Sequence, residues 1–215
     1  MKKRIVLICL LIFSILIIIF LLYHFNFIPH KMYSNDYFNI ETYRSSEDKD
    51  LDSIDDQSDI LLSAREYIKT KPKYKSKYYA TGYPDDEYGV CTDVVAFSLL
   101  GAGYDLMEMV NEDIINNREN YNIDVVDKKI DFRRVRNLRV FFENNFIKLT
   151  NDLSKIEEWQ GGDIVVFSTH VGIVSDKRNK KGIPFVIHNA SPYQLRYEED
   201  ILETYGKIFG HYRVS

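Results

Sequence analysis

Residues 91–106 read CTDVVAFSLLGAGYDL, and the reading of this stretch decides the fold. Thr92 and Asp93 open it, VVAFSLL forms its body, and Gly101 and Gly103 close it. A polar first turn, an apolar body and a glycine terminator predict a helix with Cys91 at its N-terminal end. The flanking sequence predicts helices that pack around it. Upstream, DILLSAREYIKTK (59–71) repeats Ile60, Leu61, Ala64 and Tyr67 at helical spacing. Downstream, DLMEMVNEDIINNREN (105–120) aligns Leu106, Val110 and Ile114. DFRRVRNLRVFFENN (131–145) then turns Val135, Leu138 and Phe142 inward behind Asp131 as a cap. KPKYKSKYYATGYPDDEYGV (71–90) is rich in Tyr, Pro and Gly without a clean period, so it reads as a long loop leading to Cys91.

Beyond Trp159 the pattern changes. DIVVFS (163–168), HVGIVSD (170–176), PFVIHNA (184–190) and KIFGHYRV (207–214) are short, β-branched or aromatic, and separated by turn residues. Helices followed by strands predict an α+β fold with an antiparallel sheet.

The N-terminus is of another kind. IVLICLLIFSILIIIFLLY (5–23) runs for 19 residues without a charge, and a helix needs roughly 20 apolar residues to cross a bilayer. Lys2, Lys3 and Arg4, within the basic end 1–4, predict that the N-terminus stays in the cytoplasm and the rest lies outside a bacterial cytoplasmic membrane. A cleaved signal peptide begins alike but has an apolar core of ~7–15 residues and a small-x-small site. This run is longer, and Cys9 follows Ile8 near its start. A retained single-pass anchor is therefore the expectation, with cleavage as the alternative. Residues 24–59 are polar and acidic and read as a flexible, solvated tether. Residues 60–215 have the size of one domain with its own core.

Charge narrows the partners. All 32 acidic residues follow position 35, while Lys2, Lys3 and Arg4 leave 25 basic residues beyond the membrane segment, a formal charge of −7. Such a balance argues against nucleic acid, which needs a basic surface. The two cysteines then become informative, because cysteines outside the cytoplasm usually pair. Cys9 lies in the apolar segment, so Cys91 is a lone thiol in its domain. It is either a small buried core residue or a reactive group.

Placement favours reactivity. A helix N-terminus lowers a thiol pKa and offers N–H groups to a developing oxyanion. His170 opens the strand HVGIV as a candidate base, and His188, near the end of PFVIHNA, is a candidate third member that orients it. With Val174 opposite Pro184, His170 would fall opposite His188 on one face, and a one-residue slip would present Asn189 instead. Asp93 suits the helix dipole as well as a site role. Arg133, Arg134, Arg136 and Arg139 read either as a carboxylate clamp or as a solvated helix face. His211 is expected to pack beside Tyr212. The histidines and Cys91 lack any compact ligand pair such as CxxC or HxxxH, so no metal and no cofactor are expected.

GVCTDV, WQGGDIVVF, HVGIV and IHNAS resemble the NlpC-type, papain-like cell-wall cysteine peptidases. GYPDDEYGVCTDVV, IDFRRVRNL, GGDIVVF, HVGIVSD, IHN and GHYR resemble more closely the bacterial family labelled domain of unknown function 1287, over most of residues 78–213. The resemblance implies a papain-like core with Cys91 as nucleophile, His170 as base and His188 as the orienting residue, Asn189 being the alternative. It implies Tyr83 or Tyr88 as substrate contacts, beside Asp93, Asn189 and Arg134, which the residues themselves offer as supporting candidates. Phe132 stands where the family more often has histidine and is not expected to act. The expected activity is hydrolysis of an amide bond in an extracytoplasmic substrate, with peptidoglycan stem peptides in view. Acyl transfer, another amide or ester hydrolysis, or a non-catalytic wall-binding module are the alternatives.

Overall fold

A computed structural model describes residues 2–215, which form two units, Met1–Lys31 and Met32–Ser215. In the first, helix α1 (Lys2–His24) has its apolar side chains exposed and is long and apolar enough to cross a membrane; a signal sequence meets the same test. Its polar Ser14 donates to Leu10 O at 2.9 Å, satisfying the hydroxyl within the helix.

The second unit is a helical layer on one face of an antiparallel sheet. The helices are α2 (Asp56–Lys69), α3 (Cys91–Gly101), α4 (Leu106–Asn116), the short α5 (Lys128–Asp131) and α6 (Val135–Asn145). A two-stranded parallel ribbon, β1 (Lys73–Tyr74) with β2 (Tyr88–Gly89), sits in the loop before α3. The main sheet comprises β3 (Ile147–Lys148), β4 (Ile164–Phe167), β5 (Val171–Arg178), β6 (Pro184–Ile187), β7 (Glu198–Glu199) and β8 (Ile208–Arg213), in the order β3-β8-β4-β5-β6-β7. Helices before strands and antiparallel pairing match the α+β expectation.

Alternation along the central strands explains the two cores. Ile164, Val166, Val171, Ile173 and Ile187 face the helices, against Val94, Val95 and Leu99 of α3. Val165, Phe167, Val174 and Val186 face the other way and are covered by Trp159, Ile183, Ile201 and Leu202. Each of these Val and Leu side chains is almost fully buried, a contribution of roughly 1.5–3 kcal/mol apiece. Helix α3 is apolar around its circumference because α2, α4 and β5 all pack against it. Its N-terminus therefore meets the start of β5 deep in the domain.

Three expectations are corrected. The acidic segment is not a free tether up to residue 59, because from Met32 onward it belongs to the domain. Tyr33 and Arg178 exchange backbone hydrogen bonds of 2.9 and 2.8 Å, and the buried Asn35 accepts from Arg178 Nε at 2.5 Å. Asp55 caps α2 by accepting from Ser58 N at 3.1 Å. Within this polar segment Asn35 and Asp56 are themselves buried, while many of its other charged residues stay exposed. Secondly, Asp131 is not the cap of α6. It ends α5 and accepts from Asp127 N at 2.8 Å, and Arg134 takes the N-cap position of α6 without a side-chain bond. Thirdly, Val174 lies opposite Val186 rather than Pro184, which pairs with Arg178 beyond a bulge.

Candidate active site

Val90, extended, is the N-cap of α3, so Cys91 is the first helical residue as expected. Valine offers no side-chain acceptor, and the helix start is held instead by Asp93. Its fully buried carboxylate accepts from Val90 N at 2.8 Å and from Arg133 Nε and Nη2 at 2.6 and 2.9 Å. Arg133 also donates from Nη1 to Lys77 O at 2.6 Å. Removing one partner of such a buried pair leaves an uncompensated charge, so Asp93 and Arg133 tie the loop before Cys91 to the helical layer. Asn189 ties the same loop to the sheet, donating from Nδ2 to Pro72 O at 2.9 Å and Gly89 O at 3.1 Å.

His170 lies in the turn that closes the β4–β5 hairpin, its carbonyl accepting from Phe167 N at 2.8 Å. His188 follows β6, its N–H donating to Tyr197 O at 2.8 Å. The observed register moves the pairing by two residues from the expected one, and two residues preserve the face. His188 thus stands across from Gly172, diagonal to His170. Gly172 has no room for a side chain, since an added Cβ would lie 2.5 Å from Val186 Cγ1 and 2.9 Å from Ile187 O. Across this gap His170 Nε2 and His188 Nδ1 meet at 2.9 Å. The contact selects His188 over Asn189 as the neighbour of His170.

Burial dominates the electrostatics. It pushes the Cys91 thiol up to about 11, with the Asp93 charge adding to it, against backbone N–H groups of Val171, Thr92 and Cys91 that favour thiolate. The expectation that the helix N-terminus would leave an acidic thiol is corrected: desolvation outweighs the dipole here. Burial lowers His170 to about 2, helped by the neighbouring His188, and lowers His188 to about 3. All three groups are neutral at pH 7. The thiol lies by the N–H of Val171, the residue after His170, and among the described residues no hydrogen bond joins Cys91 to His170. The Tyr205 ring stacks on His170 at 4.5 Å and lies within electrostatic reach of Cys91.

The remaining candidates are dispersed. Tyr83 donates its hydroxyl to Asp105 Oδ1 at 2.9 Å and packs on Phe97 and Phe132, which makes it part of the helical core. Tyr88 stays near the site on β2, its ring beneath Lys75 and Lys77 at 5.0 and 4.8 Å. Arg134 is exposed, 3.9 Å from Asp131, and does not reach Cys91's surroundings; its neighbour Arg133 does. His211 stacks on Trp159 at 3.8 Å with its ring nitrogens 2.7 Å from Thr150 O and 2.9 Å from Asp163 Oδ2, so Cys91, His170, His188 and His211 do not converge as ligands. Sequence reading missed Gln194 and Glu199, which face His188 Nε2 at 3.3 and 3.4 Å, and Tyr205. The two residues of β7 are too few to show alternation, so Glu199 carried no signal.

The family model described as domain of unknown function, DUF1287, matches residues 61–214. The chain belongs to that family. The uncharacterized protein YijF of Escherichia coli (strain K12) is 36% identical over 168 residues, covering 72% of this chain and 80% of YijF. No solved structure matches the chain. In this DUF1287 chain the matched residues include Cys91, His170, His188, Gln194, Glu199 and Tyr205.

Proposed function

We propose that the protein is a membrane-anchored, extracytoplasmic cysteine hydrolase that cleaves amide bonds, with peptidoglycan stem peptides as its substrate. The observation that carries this reading is a thiol at a helix N-terminus beside a strand-end pair of hydrogen-bonded histidines, His170 and His188. α1, which opens on Lys2, Lys3 and Arg4, supports the anchor and its orientation. The motif resemblance to NlpC-type, papain-like enzymes supports the substrate class.

In the reaction the Cys91 thiol gives its proton to His170 as sulfur attacks the amide carbonyl, forming the S–C bond. The N–H groups at the start of α3 stabilise the oxyanion. His170 returns the proton to the amine as the C–N bond breaks. Water, deprotonated by His170, then attacks the thioester; the acid leaves and Cys91 regains its proton. Because thiol and imidazole are both neutral at rest, thiolate forms during attack. The test is digestion of purified peptidoglycan by the full chain in detergent, with new termini identified by mass spectrometry. Wild type is expected to release them, and Cys91→Ala to release none while keeping its melting temperature within a few degrees. Products carrying a transferred acyl group in place of a free acid would assign acyl transfer instead.

The closed, neutral thiol favours one second reading, a non-catalytic wall-binding module. Iodoacetamide labelling of Cys91 in the presence of peptidoglycan fragments separates the two. Acceleration of labelling at pH 7 supports the hydrolase; labelling no faster than that of an ordinary thiol supports the module.

A further inference from the structure

A neutral His170 accepts the Cys91 proton at Nδ1 only if its own proton sits on Nε2. That proton points at His188 Nδ1, 2.9 Å away, so His188 must carry its own on Nε2. Whatever faces His188 Nε2 therefore sets the state of both rings.

Two groups stand there, Gln194 Nε2 at 3.3 Å and Glu199 Oε2 at 3.4 Å. They act in opposite senses, since an amide nitrogen only donates and a carboxylate only accepts. Gln194 has two N–H bonds, and both are engaged, with Arg196 O at 2.6 Å and His188 O at 3.1 Å. Its orientation is fixed by the other end, where Oε1 accepts from Ala190 N at 2.6 Å. The ring is the longest of the three contacts these two N–H bonds can serve, and the two carbonyls are the shorter ones. Glu199 is buried, 9% exposed, and β7 sets it opposite Val186, two residues before His188 on the same face. Its carboxylate thus reaches His188 along a diagonal, as His188 reaches His170.

Resting on the cysteine hydrolase reading, the geometry points to Glu199 as a positioning residue: it holds the proton of His188 on Nε2, which holds that of His170 on Nε2 and leaves Nδ1 bare for the thiol. The line runs over three adjacent strands, from Glu199 through His188 to His170.

Long-range 1H–15N spectra of the full chain in detergent micelles, labelled with 15N-histidine, test this at pH 7. His170→Gln and His188→Gln assign the two rings among the five histidines. Wild type is expected to show both rings protonated on Nε2. Glu199→Ala is expected to move the His188 proton towards Nδ1 and to lower kcat roughly 10- to 100-fold with little change in KM, the range found when a group orienting a functional histidine is lost. Gln194→Ala is expected to leave both tautomers in place. A wild-type His188 protonated on Nδ1 overturns the proposal, even if Glu199→Ala fails to fold. An unchanged Glu199→Ala spectrum or a changed Gln194→Ala spectrum overturns it too. The spectra need no substrate, so an active Cys91→Ala protein would sink the hydrolase reading and leave this measurement standing.

Discussion

The domain contains two buried histidine centres, and they are built on opposite terms. At the first, His211 of β8 lies between Thr150 O and Asp163, with Trp159 stacked on its ring. Asp163 in turn accepts from Arg213 Nε and Nη2 at 2.7 and 2.9 Å, Gln57 Nε2 at 2.9 Å and Gln160 N at 2.8 Å. Every ring nitrogen and carboxylate oxygen there has a protein partner. At the second, His170 and His188 bond to each other, among the described residues no hydrogen bond engages His170 Nδ1, and the Cys91 thiol lies by the N–H of the next residue, Val171. Burial is equal at the two centres, within 2% exposure. What separates a structural histidine from a candidate catalytic one is therefore whether its hydrogen-bonding capacity is exhausted, not how deeply it lies.

The largest test of this contrast is Asp163→Ala, which removes the carboxylate facing the Arg213 guanidinium and the His211 ring. A loss of about 3–5 kcal/mol is expected in denaturant unfolding, whereas His170→Gln should stay within about 1 kcal/mol of wild type. Equal losses would erase the distinction. A smaller effect comes from pH. His170 and His188 have folded pKa values of about 2 and 3, below the unfolded value near 6.5, so the unfolded chain binds more protons between these limits. Stability should therefore rise with pH through that window and fall on acidification below about 6.5, by roughly 1 kcal/mol per pH unit for each histidine. His170→Gln should flatten the slope between pH 6 and 5; an unchanged slope would mean that the pair is not held neutral. The smallest effect is expected at Arg134→Ala, an exposed position outside both centres, where stability should move by less than about 0.5 kcal/mol and hydrolysis not at all.

Much of this was legible in the chain because period and punctuation agree with the fold. The helix at Cys91 and the strands β4, β5, β6 and β8 follow from apolar spacing and turn residues. The pairing of His170 with His188 survived a wrong register, since an error of two residues keeps every side chain on its face. What stayed hidden depends on contacts between distant residues. Arg178 is fully buried and needs acceptors, which Asn35, Ile156 O, Gly182 O and Trp159 O supply. Nothing local marks Asn35 for that task. Likewise Asp93 reads as a helix-dipole residue, and only its contact with Arg133, 40 residues on, shows what it anchors.

The docking of Tyr33 and Asn35 onto the domain also sets a length. Only residues 25–31 separate the end of α1 from the folded unit, and seven residues fully extended reach at most about 25 Å. A tether running to residue 59 would have allowed on the order of 120 Å. On the proposed reading, with α1 as the anchor, a hydrolase held on so short a leash would act on substrate at the membrane surface, on newly made or loosened polymer rather than on the outer layers of a thick wall.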